Sequence, residues 1–411
     1  MPAPLTESEV LAIRADFPLL ATTVNGSPLV YLDSAATSQK PLAVLDAERD
    51  YYLHRNAAVH RGAHTLAALA TEEFEEARAT VARFVGVDAD EIVWTSNATE
   101  GINLVAYGQR LQPGDEIVVT ESEHHANLIP WQRLAQRTGA TLRFIPVDDE
   151  GGLRLDLLDE IITSQTRVVA FAHVSNVLGT IAPVAELVAA AHAVGAIVVL
   201  DACQSVPHLP VSFRDLNVDF AVFSGHKMLA PTGIGVLYGR RALLTALPPF
   251  LTGGSMITTV TMEAAEFLPA PQRFEAGTQR VSQAIALATA VRYLENIGMD
   301  RVAAHGAAIS NRLVAGLARI EGVRVLTGRG DRVGLAAFDV EGVHAHDVGQ
   351  FLDDRGIAVR VGHHCAQPLH RRLGLTATTR ASGSIYTTEA EIDALLDALA
   401  EVRAFFRVDT P

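Results

Sequence analysis

Lysine is almost absent from this chain of 411 residues: of its 33 basic residues, only Lys40 and Lys227 are lysines. Arginine stays protonated in proteins, whereas a buried lysine can lose its proton and form a Schiff base with a carbonyl group. Because all the remaining basic residues are arginines, the two lysines need an explanation. Lys227 follows an apolar, strand-like run and is the first candidate for chemistry, while Lys40 resembles an ordinary loop residue.

Cysteine is equally scarce, and Cys203 and Cys365 are the only two. They lie too far apart in the sequence to form a metal-binding knuckle, and a chain of this length needs no disulfide scaffold. Apolar residues flank Cys203, so we expect it to pack in the core. The two cysteines therefore have to be interpreted separately.

Positive charge and long apolar runs are also lacking. A net charge of −14 argues against a protein that binds the phosphate backbone of nucleic acids. No apolar run approaches the roughly 18 residues that span a bilayer. Residues 6–9, Thr-Glu-Ser-Glu, predict the start of an acidic amphipathic helix and not a basic leader. We expect a cytoplasmic protein that binds neither nucleic acid nor membrane.

Short β-rich runs alternate with helical ones in the first two thirds of the chain. Seven of these runs are predicted to be buried strands, at residues 91–95, 116–120, 141–146, 167–172, 196–200, 219–223 and 234–238. The alternation predicts an α/β fold with a mostly parallel seven-stranded sheet that is covered by helices on both faces. In such folds, ligands bind beyond the carboxyl ends of the strands.

A second block follows this region. Its predicted elements are a long helix at 281–297 and strands at 323–326, 335–338 and 357–361, which together indicate a smaller α+β domain. We therefore expect an N-terminal arm over residues 1–28, a large domain over 29–280 and a small domain over 281–411.

Polar residues follow three of the predicted strands. Asp201 ends one strand, Lys227 follows another, and residues 96–99 precede a helix whose free N–H groups suit a phosphate. A lysine for a Schiff base and a carboxylate that keeps a pyridine nitrogen protonated are what pyridoxal phosphate requires. Taken singly, Asp201 and residues 96–99 could be helix caps and Lys227 a surface lysine. Their coincidence in a chain with one other lysine favours a pyridoxal phosphate site.

Cys365 lies in a glycine-containing segment after an apparent strand, Gly-His-His-Cys-Ala at 362–366. Arg360 and the two histidines are neighbours whose positive charge would favour the nucleophilic thiolate. A buried structural cysteine is the alternative interpretation.

Five motifs of the chain resemble those of one known family. They are Asn-Ala-Thr-Glu-Gly at 97–101, Glu-His-His-Ala-Asn at 123–127, Asp-Ala-Cys-Gln at 201–204, Ser-Gly-His-Lys-Met at 224–228 and Arg-Val-Gly-His-His-Cys-Ala at 360–366. They are similar to motifs of the cysteine desulfurases of the class V aminotransferase fold. More narrowly, the chain resembles the SufS-type, group II enzymes of iron–sulfur cluster assembly in their actinobacterial form. The resemblance implies a homodimeric pyridoxal phosphate-dependent transferase of fold type I.

The resemblance also implies a reaction and the residues that perform it. Lys227 would attach the cofactor and move protons, and His124 would stack on the cofactor ring. Cys365 would take the sulfur of L-cysteine as a persulfide and leave L-alanine. The cofactor would be bound by Ala98, Thr99, His124, Asn176, Asp201, Gln204, Ser224, His226, Lys227 and Thr278. The substrate would be bound by Arg380, Arg360 and Asn176.

More specific roles follow from the same resemblance. Asp201 would pair with the pyridine nitrogen, and Asn176 and Gln204 would reach the phenolic oxygen of the ring. Arg380 would clamp the substrate carboxylate, and Thr278 would reach the phosphate bound in the other subunit. Phosphate ligands in the same subunit would be Ala98, Thr99, Ser224 and His226.

His344 and His346 would share one face if their segment were extended. The resemblance implies a sulfur acceptor that is SufU-like or SufE-like. Resemblance to relatives that work with a zinc-containing acceptor suggests that His346 ligates the zinc of such a partner. A solvated loop histidine is the alternative, and no metal of the chain's own is expected. Two other functions stay open at this point: a different reaction on the same scaffold, such as selenocysteine lyase, and a non-catalytic assembly scaffold.

Overall fold

The computed structural model describes residues 3–408 except residues 327 and 329. The α-helices in this part of the chain are α1 (Glu7–Ala15), α2 (Leu42–His54), α3 (Thr65–Phe84), α4 (Ala98–Gly108), α5 (Ile129–Thr138), α6 (Leu158–Ile161), α7 (Val184–Ala193), α8 (Arg241–Ala246), α9 (Val281–Ile297), α10 (Met299–Leu317), α11 (Ala345–Asp353), α12 (Gln367–Arg372) and α13 (Glu389–Phe405). The strands are β1 (Thr23–Val24), β2 (Ser27–Pro28), β3 (Val30–Tyr31), β4 (Ile92–Thr95), β5 (Glu116–Thr120), β6 (Thr141–Ile145), β7 (Thr166–Ala172), β8 (Ile197–Asp201), β9 (Phe220–Ser224), β10 (Gly235–Gly239), β11 (Ile257–Val260), β12 (Ala265–Phe267), β13 (Val323–Leu326), β14 (Leu335–Val340), β15 (Ile357–Ala358), β16 (Arg360–Gly362) and β17 (Thr378–Ser382).

The predicted seven-stranded sheet is present, in the order β4-β10-β9-β8-β7-β5-β6. Neighbouring strands from β9 to β6 run parallel, and only β10 runs antiparallel to its neighbours β9 and β4. The prediction of a mostly parallel sheet is confirmed, and each predicted strand lies within one residue of an observed one. The prediction that all seven are buried is wrong for β6, where Phe144 is 53% exposed, because an edge strand has a neighbour on one side only.

Helices cover both faces of this sheet, as the continuous apolar run of β8 requires. Val198 and Leu200 of β8 pack in one cluster with residues of α3, α7 and α9, while Val199 packs in a second cluster with residues of α4 and α5. Successive residues of a strand point to opposite faces, so a strand between two helical layers must be apolar at each position. The polar residues that follow β8 and β9 therefore stand out as a site.

The second block forms a four-stranded antiparallel sheet, β13-β14-β17-β16, packed against α10 and α11, which in turn contact α13. The prediction of a single strand at 357–361 is wrong, because two strands are present. β15 pairs in parallel with β3, whereas β16 pairs with β17, because the chain changes partner at Val359. The helix predicted at 281–297 is confirmed as α9, but it packs on α2 and α3. The predicted domain limits stay a prediction.

The N-terminal helix α1 begins at the predicted capping box, in which Thr6 and Glu9 exchange hydrogen bonds. It is joined to the C-terminal part of the chain by ion pairs between Arg14 and Glu391 at 2.9 Å and between Glu9 and Arg301 at 2.7 Å. Among the residues described, no helix combines the length and the apolar character that crossing a membrane demands.

Candidate active site

A cavity of about 290 Å³ lies beyond the carboxyl ends of β8 and β9. It brings together all the sequence-predicted site residues except two, Thr278 and His346. Those that line it are Ala98, Thr99, His124, Asn176, Asp201, Gln204, Ser224, His226, Lys227, Arg360, Cys365 and Arg380. Segments from both sheets thus contribute to one site.

Lys227 lies on a 3-10 turn, Gly225–Lys227, directly after β9. In the part of the chain that the structure describes, its amine makes no hydrogen bond, which leaves it available to a ligand in the cavity. The turn packs closely: a side-chain carbon at Gly225 would stand 2.8 Å from Ile234. The position of the amine is therefore set by the end of a central strand.

The expectation that Lys40 is an ordinary loop residue is wrong. Its ammonium group donates to the carbonyl oxygen of His226 at 3.0 Å, to Oγ1 of Thr37 at 3.3 Å and to the carbonyl oxygen of Ser38. Burial lowers the pKa of Lys40 to about 8. The second lysine of the chain thus ties the loop before α2 to the turn that carries the first, Lys227. Nothing in the local sequence indicates this contact.

Asp201 is the last residue of β8 and is buried. Its Oδ1 accepts the N–H of Cys203 at 3.0 Å, which closes a turn. No α-helix follows Asp201 directly in the described residues, so the helix-cap alternative is wrong. Cys203 is buried as expected, burial raises the pKa of its thiol, and it borders the same cavity.

Gln204 and Asn176 each use their amide nitrogen on a carbonyl group of the chain. Nε2 of Gln204 donates to Ala35 at 2.8 Å, and Nδ2 of Asn176 donates to His364 at 2.6 Å. The Oε1 atom of Gln204 is buried and has no partner in residues 3–408 as described. Gln204 thus offers a ligand a hydrogen-bond acceptor. A bare phenolate oxygen is itself an acceptor and would need a donor instead.

The predicted phosphate end of the cavity lies where α4 begins. The Ala98 N–H donates to Oγ of Ser224 at 2.9 Å, so Ser224 keeps its own hydroxyl proton for a ligand. Thr99, the second residue of α4, also lines the cavity. Burial and the charge of Lys227 lower the pKa of His226 to about 4, so its ring is neutral at pH 7.

His124 borders the cavity from the segment that follows β5. Burial and then the charge of Lys227 lower its pKa to about 4, and Nδ1 accepts the N–H of Ala126 at 3.0 Å. The neutral ring therefore carries its proton on Nε2. Glu123 anchors this segment from the core: its carboxylate accepts hydrogen bonds from the Ala172 N–H at 3.0 Å and from Asn127 at 2.7 Å. A buried acid beside an active-site histidine was visible in the sequence, but its anchoring role was not.

Cys365 is exposed at the cavity mouth, which removes the alternative of a buried structural cysteine. The backbone φ angles of His364 and Cys365 are 49° and 58°, a left-handed conformation that is strained for residues other than glycine. Burial lowers the pKa of His364 to about 2, so the expectation that it is a positively charged neighbour of the thiol is wrong. The fixed positive charges near the thiol belong to Arg360 and Arg380, which line the same cavity.

These two arginines are direct register partners on β16 and β17. Arg380 is 3% exposed, donates to the carbonyl oxygen of Asn176 at 2.8 Å and pairs with Asp33 at 3.3 Å. Its Nε atom is buried without a partner among the described residues. Two guanidinium groups at one cavity suit a carboxylate ligand.

Thr278 and His346 lie outside the cavity, and both are exposed. The segment of His344 and His346 is not extended, as the shared-face interpretation required. Helix α11 begins at Ala345, and the ring of His344 accepts the N–H of His346 at 3.3 Å. The two rings stack instead, with centroids 5.6 Å apart.

Comparisons with known proteins agree with this arrangement. The family model "Aminotransferase class-V" matches residues 30–395. "Probable cysteine desulfurase 2" of Mycobacterium leprae is 56% identical and covers 98% of each chain. The apo structure of a cysteine desulfurase from Thermococcus onnurineus has a TM-score of 0.92 and 41% identity, and covers 98% of this chain and 99% of its own.

A third relative has a defined ligand. A mutant of C-DES with glycine covalently linked to its pyridoxal phosphate cofactor has a TM-score of 0.81 and 27% identity, and covers 94% of this chain and 99% of its own. The matches extend over nearly the whole chain and include both sheets. The chain therefore belongs to the class-V aminotransferase family, in the branch that contains the cysteine desulfurases.

Proposed function

We propose that this chain is a pyridoxal phosphate-dependent cysteine desulfurase, which converts L-cysteine to L-alanine and transfers the sulfur to Cys365. The observation that carries the proposal is the meeting of Lys227 and Cys365 at one cavity from different elements, beside Arg360 and Arg380. An amine that forms a Schiff base, a thiol that attacks sulfur and a site for a carboxylate are the three functions that the reaction needs.

The residues at the cavity fit the cofactor. The hydroxyl proton of Ser224 and the start of α4 at Thr99 suit its phosphate, and Asp201 suits its pyridine nitrogen. Pyridoxal phosphate, when it is bound, supplies a ring that accepts the electrons released from the α-carbon of an amino acid.

The first part of the reaction belongs to Lys227. Its amine moves the α-proton of the substrate, because it lines the cavity, forms no hydrogen bond with a described residue and, unlike the guanidinium of Arg360, can give up its proton. Asp201 keeps a proton on the nitrogen of the cofactor. His124, neutral and with its proton on Nε2, gives the cofactor ring a flat face. Arg380, fixed by Asp33 and Asn176, binds the substrate carboxylate together with Arg360.

The second part belongs to Cys365. Its thiolate attacks the sulfur of the substrate, and the new S–S bond forms while the Cβ–S bond breaks. The electron pair of that bond stays with the carbon skeleton, which takes up a proton at Cβ, regains one at Cα from Lys227 and leaves as L-alanine. Covalent transfer divides a difficult cleavage into two steps and leaves a persulfide on an exposed side chain, where an acceptor can reach it.

A narrower assignment rests on the same motifs. We infer a SufS-type, group II enzyme of iron–sulfur cluster assembly that works as a cytoplasmic homodimer and passes its sulfur to a SufU-like or SufE-like acceptor. Apolar residues that a second subunit could cover support the dimer: Leu53 of α2 is 62% exposed, and Met262, between β11 and β12, is 96% exposed. In this assignment Thr278 serves the second subunit and His346 ligates the zinc of an acceptor, and the exposure of both residues supports these roles.

The test is to incubate the purified holoenzyme with L-cysteine and to measure alanine and protein-bound persulfide together. Equal amounts of both are expected in the first turnover, and Cys365→Ala should lose both. Continued release of alanine by Cys365→Ala would reject the mechanism. A preference for L-selenocysteine in the same assay would favour the lyase alternative.

A further inference from the structure

His125 contacts the segment around Cys365, residues 362–367 (the thiol segment), at two points, although its own ring does not line the cavity. Its main-chain N–H donates to the carbonyl oxygen of Cys365 at 2.6 Å. Its ring nitrogen Nε2 accepts the main-chain N–H of Gln367 at 3.1 Å. One residue of the large sheet region thus bonds to the backbone on both sides of Ala366.

The second of these bonds meets a need of the local backbone. Gln367 is the first residue of α12, and the N–H groups at the start of a helix have no partner within the helix. The preceding residue, Ala366, has no side chain that can accept such a bond, and the next residue, Pro368, has no N–H group. The ring of His125 supplies the acceptor that the sequence around Cys365 lacks.

Two bonds at this position matter because the segment is strained. His364 and Cys365 both adopt the left-handed conformation, which costs on the order of 1 kcal/mol or more for each residue. Such a conformation persists only where surrounding contacts impose it. Apart from the His125 pair, Asn176 donates to the carbonyl oxygen of His364 at 2.6 Å, and the ring of His364 bonds to Oγ1 of Thr378 at 2.8 Å. These bonds hold His364, whereas the His125 pair holds the backbone on either side of Ala366.

We propose that His125 is a positioning residue for the thiol, and that its ring holds the Cys365 segment in the conformation that presents the sulfur to the substrate. This inference rests on the proposed function. Because His125 follows His124 directly, it joins the thiol segment to the part of the chain that borders the cofactor side of the cavity. The early steps at Lys227 do not depend on it.

The test compares three holoenzyme variants with the wild type. His125→Ala removes the acceptor, His125→Gln restores one in its side-chain oxygen, and Gln367→Ala is the matched control because the bond uses the backbone of that residue. Loss of one such hydrogen bond predicts that His125→Ala forms the Cys365 persulfide about 10-fold more slowly in a single turnover. The absorbance change on addition of L-cysteine should keep its wild-type rate, and His125→Gln should recover most of the loss.

A second measurement does not require desulfurase activity. Iodoacetamide should alkylate Cys365 at a changed rate in His125→Ala, because the segment can leave its strained conformation, and at the wild-type rate in Gln367→Ala. An unchanged alkylation rate in His125→Ala, or equal losses in His125→Ala and His125→Gln, would overturn the proposal. If the wild type released no alanine while the alkylation result held, the proposed function would fail and the positioning role would stand.

Discussion

Lys227 and Cys365 line the same cavity, but the backbone at each residue is held in place in a different way. The lysine follows a central strand, on a turn whose backbone is bonded to the neighbouring segment, with Gly225 donating to Ile234 at 3.0 Å. The cysteine is itself exposed, and it lies in a strained segment that is bonded to side chains and backbone of other elements. The difference matches what each has to do. An amine that serves one cofactor needs one position, whereas a thiol that meets a substrate and then an acceptor needs a support that can be released.

The largest effect is expected from a change at the rigid support. Lys227→Arg keeps the positive charge but cannot form a Schiff base, so turnover should fall on the order of 10³-fold or more. Borohydride reduction followed by mass spectrometry should find no cofactor attached to the variant protein. Cys365→Ser is the control, because it should keep the covalent cofactor while losing sulfur transfer. Residual attachment in Lys227→Arg would contradict the assignment.

A second variant tests what keeps the lysine turn rigid. Lys40→Met removes the donor to the carbonyl oxygen of Ser38, and a buried acceptor left unpaired costs about 1–3 kcal/mol. The carbonyl oxygen of His226 keeps its bonds from Thr37 and Ser38. The free energy of unfolding should therefore fall by about 2 kcal/mol in denaturant titrations of the holoenzyme. Lys40→Arg, which keeps the charge and the donors, should lose less. If Lys40→Met were as stable as the wild type, the rigidity of the turn would have another source.

The free energy of unfolding should fall in acid because of the thiol segment, in which His364 is buried and uncharged. Burial lowers the pKa of His364 from an ordinary value of 6.5 to about 2, so the unfolded state binds the extra proton between these values. Stability is then lost as the pH falls, and this one group accounts for about 2 kcal/mol between pH 7 and pH 5. His364→Asn removes the titration and tolerates the left-handed backbone.

Unfolding titrations of the wild type and His364→Asn at both pH values measure this contribution. The loss on acidification should be smaller in the variant by about that amount. Equal losses in both proteins would show that His364 is not kept neutral by the fold.

The rigid region was the easier one to predict from the sequence. Long apolar runs that end in Asp201 and before Lys227 imply buried parallel strands, and those strands imply a site at their ends. Strand positions were correct within one residue because such runs leave few alternatives. The half-exposed state of β6 was missed because the sequence does not say which strand lies at the edge.

Contacts between parts of the chain that are distant in the sequence could not be predicted in the same way. Lys40 and His226 are far apart in the sequence, as are His125 and Gln367, and each bond joins a side chain to a backbone group that carries no residue-specific signal. The left-handed conformation of Cys365 was also hidden, because cysteine does not favour it. The chemistry could thus be read from the residues, whereas the support of the thiol required the structure.

The smallest effect is expected from a change at the start of the thiol segment. Gly362 has a φ angle of 110°, and a side-chain carbon there would meet nothing within 4 Å, so Gly362→Ala adds backbone strain and no clash. The cost is about 1–2 kcal/mol and should fall on the thiol segment alone. Persulfide formation in a single turnover should slow about 10-fold, while attachment of the cofactor at Lys227 stays unchanged. Gly253→Ala is the control, because its site is equally open and its φ angle is not in the left-handed region. If Gly362→Ala impaired cofactor attachment as strongly as persulfide formation, the two supports would not be independent, and the contrast between a rigid lysine and a releasable thiol would have to be abandoned.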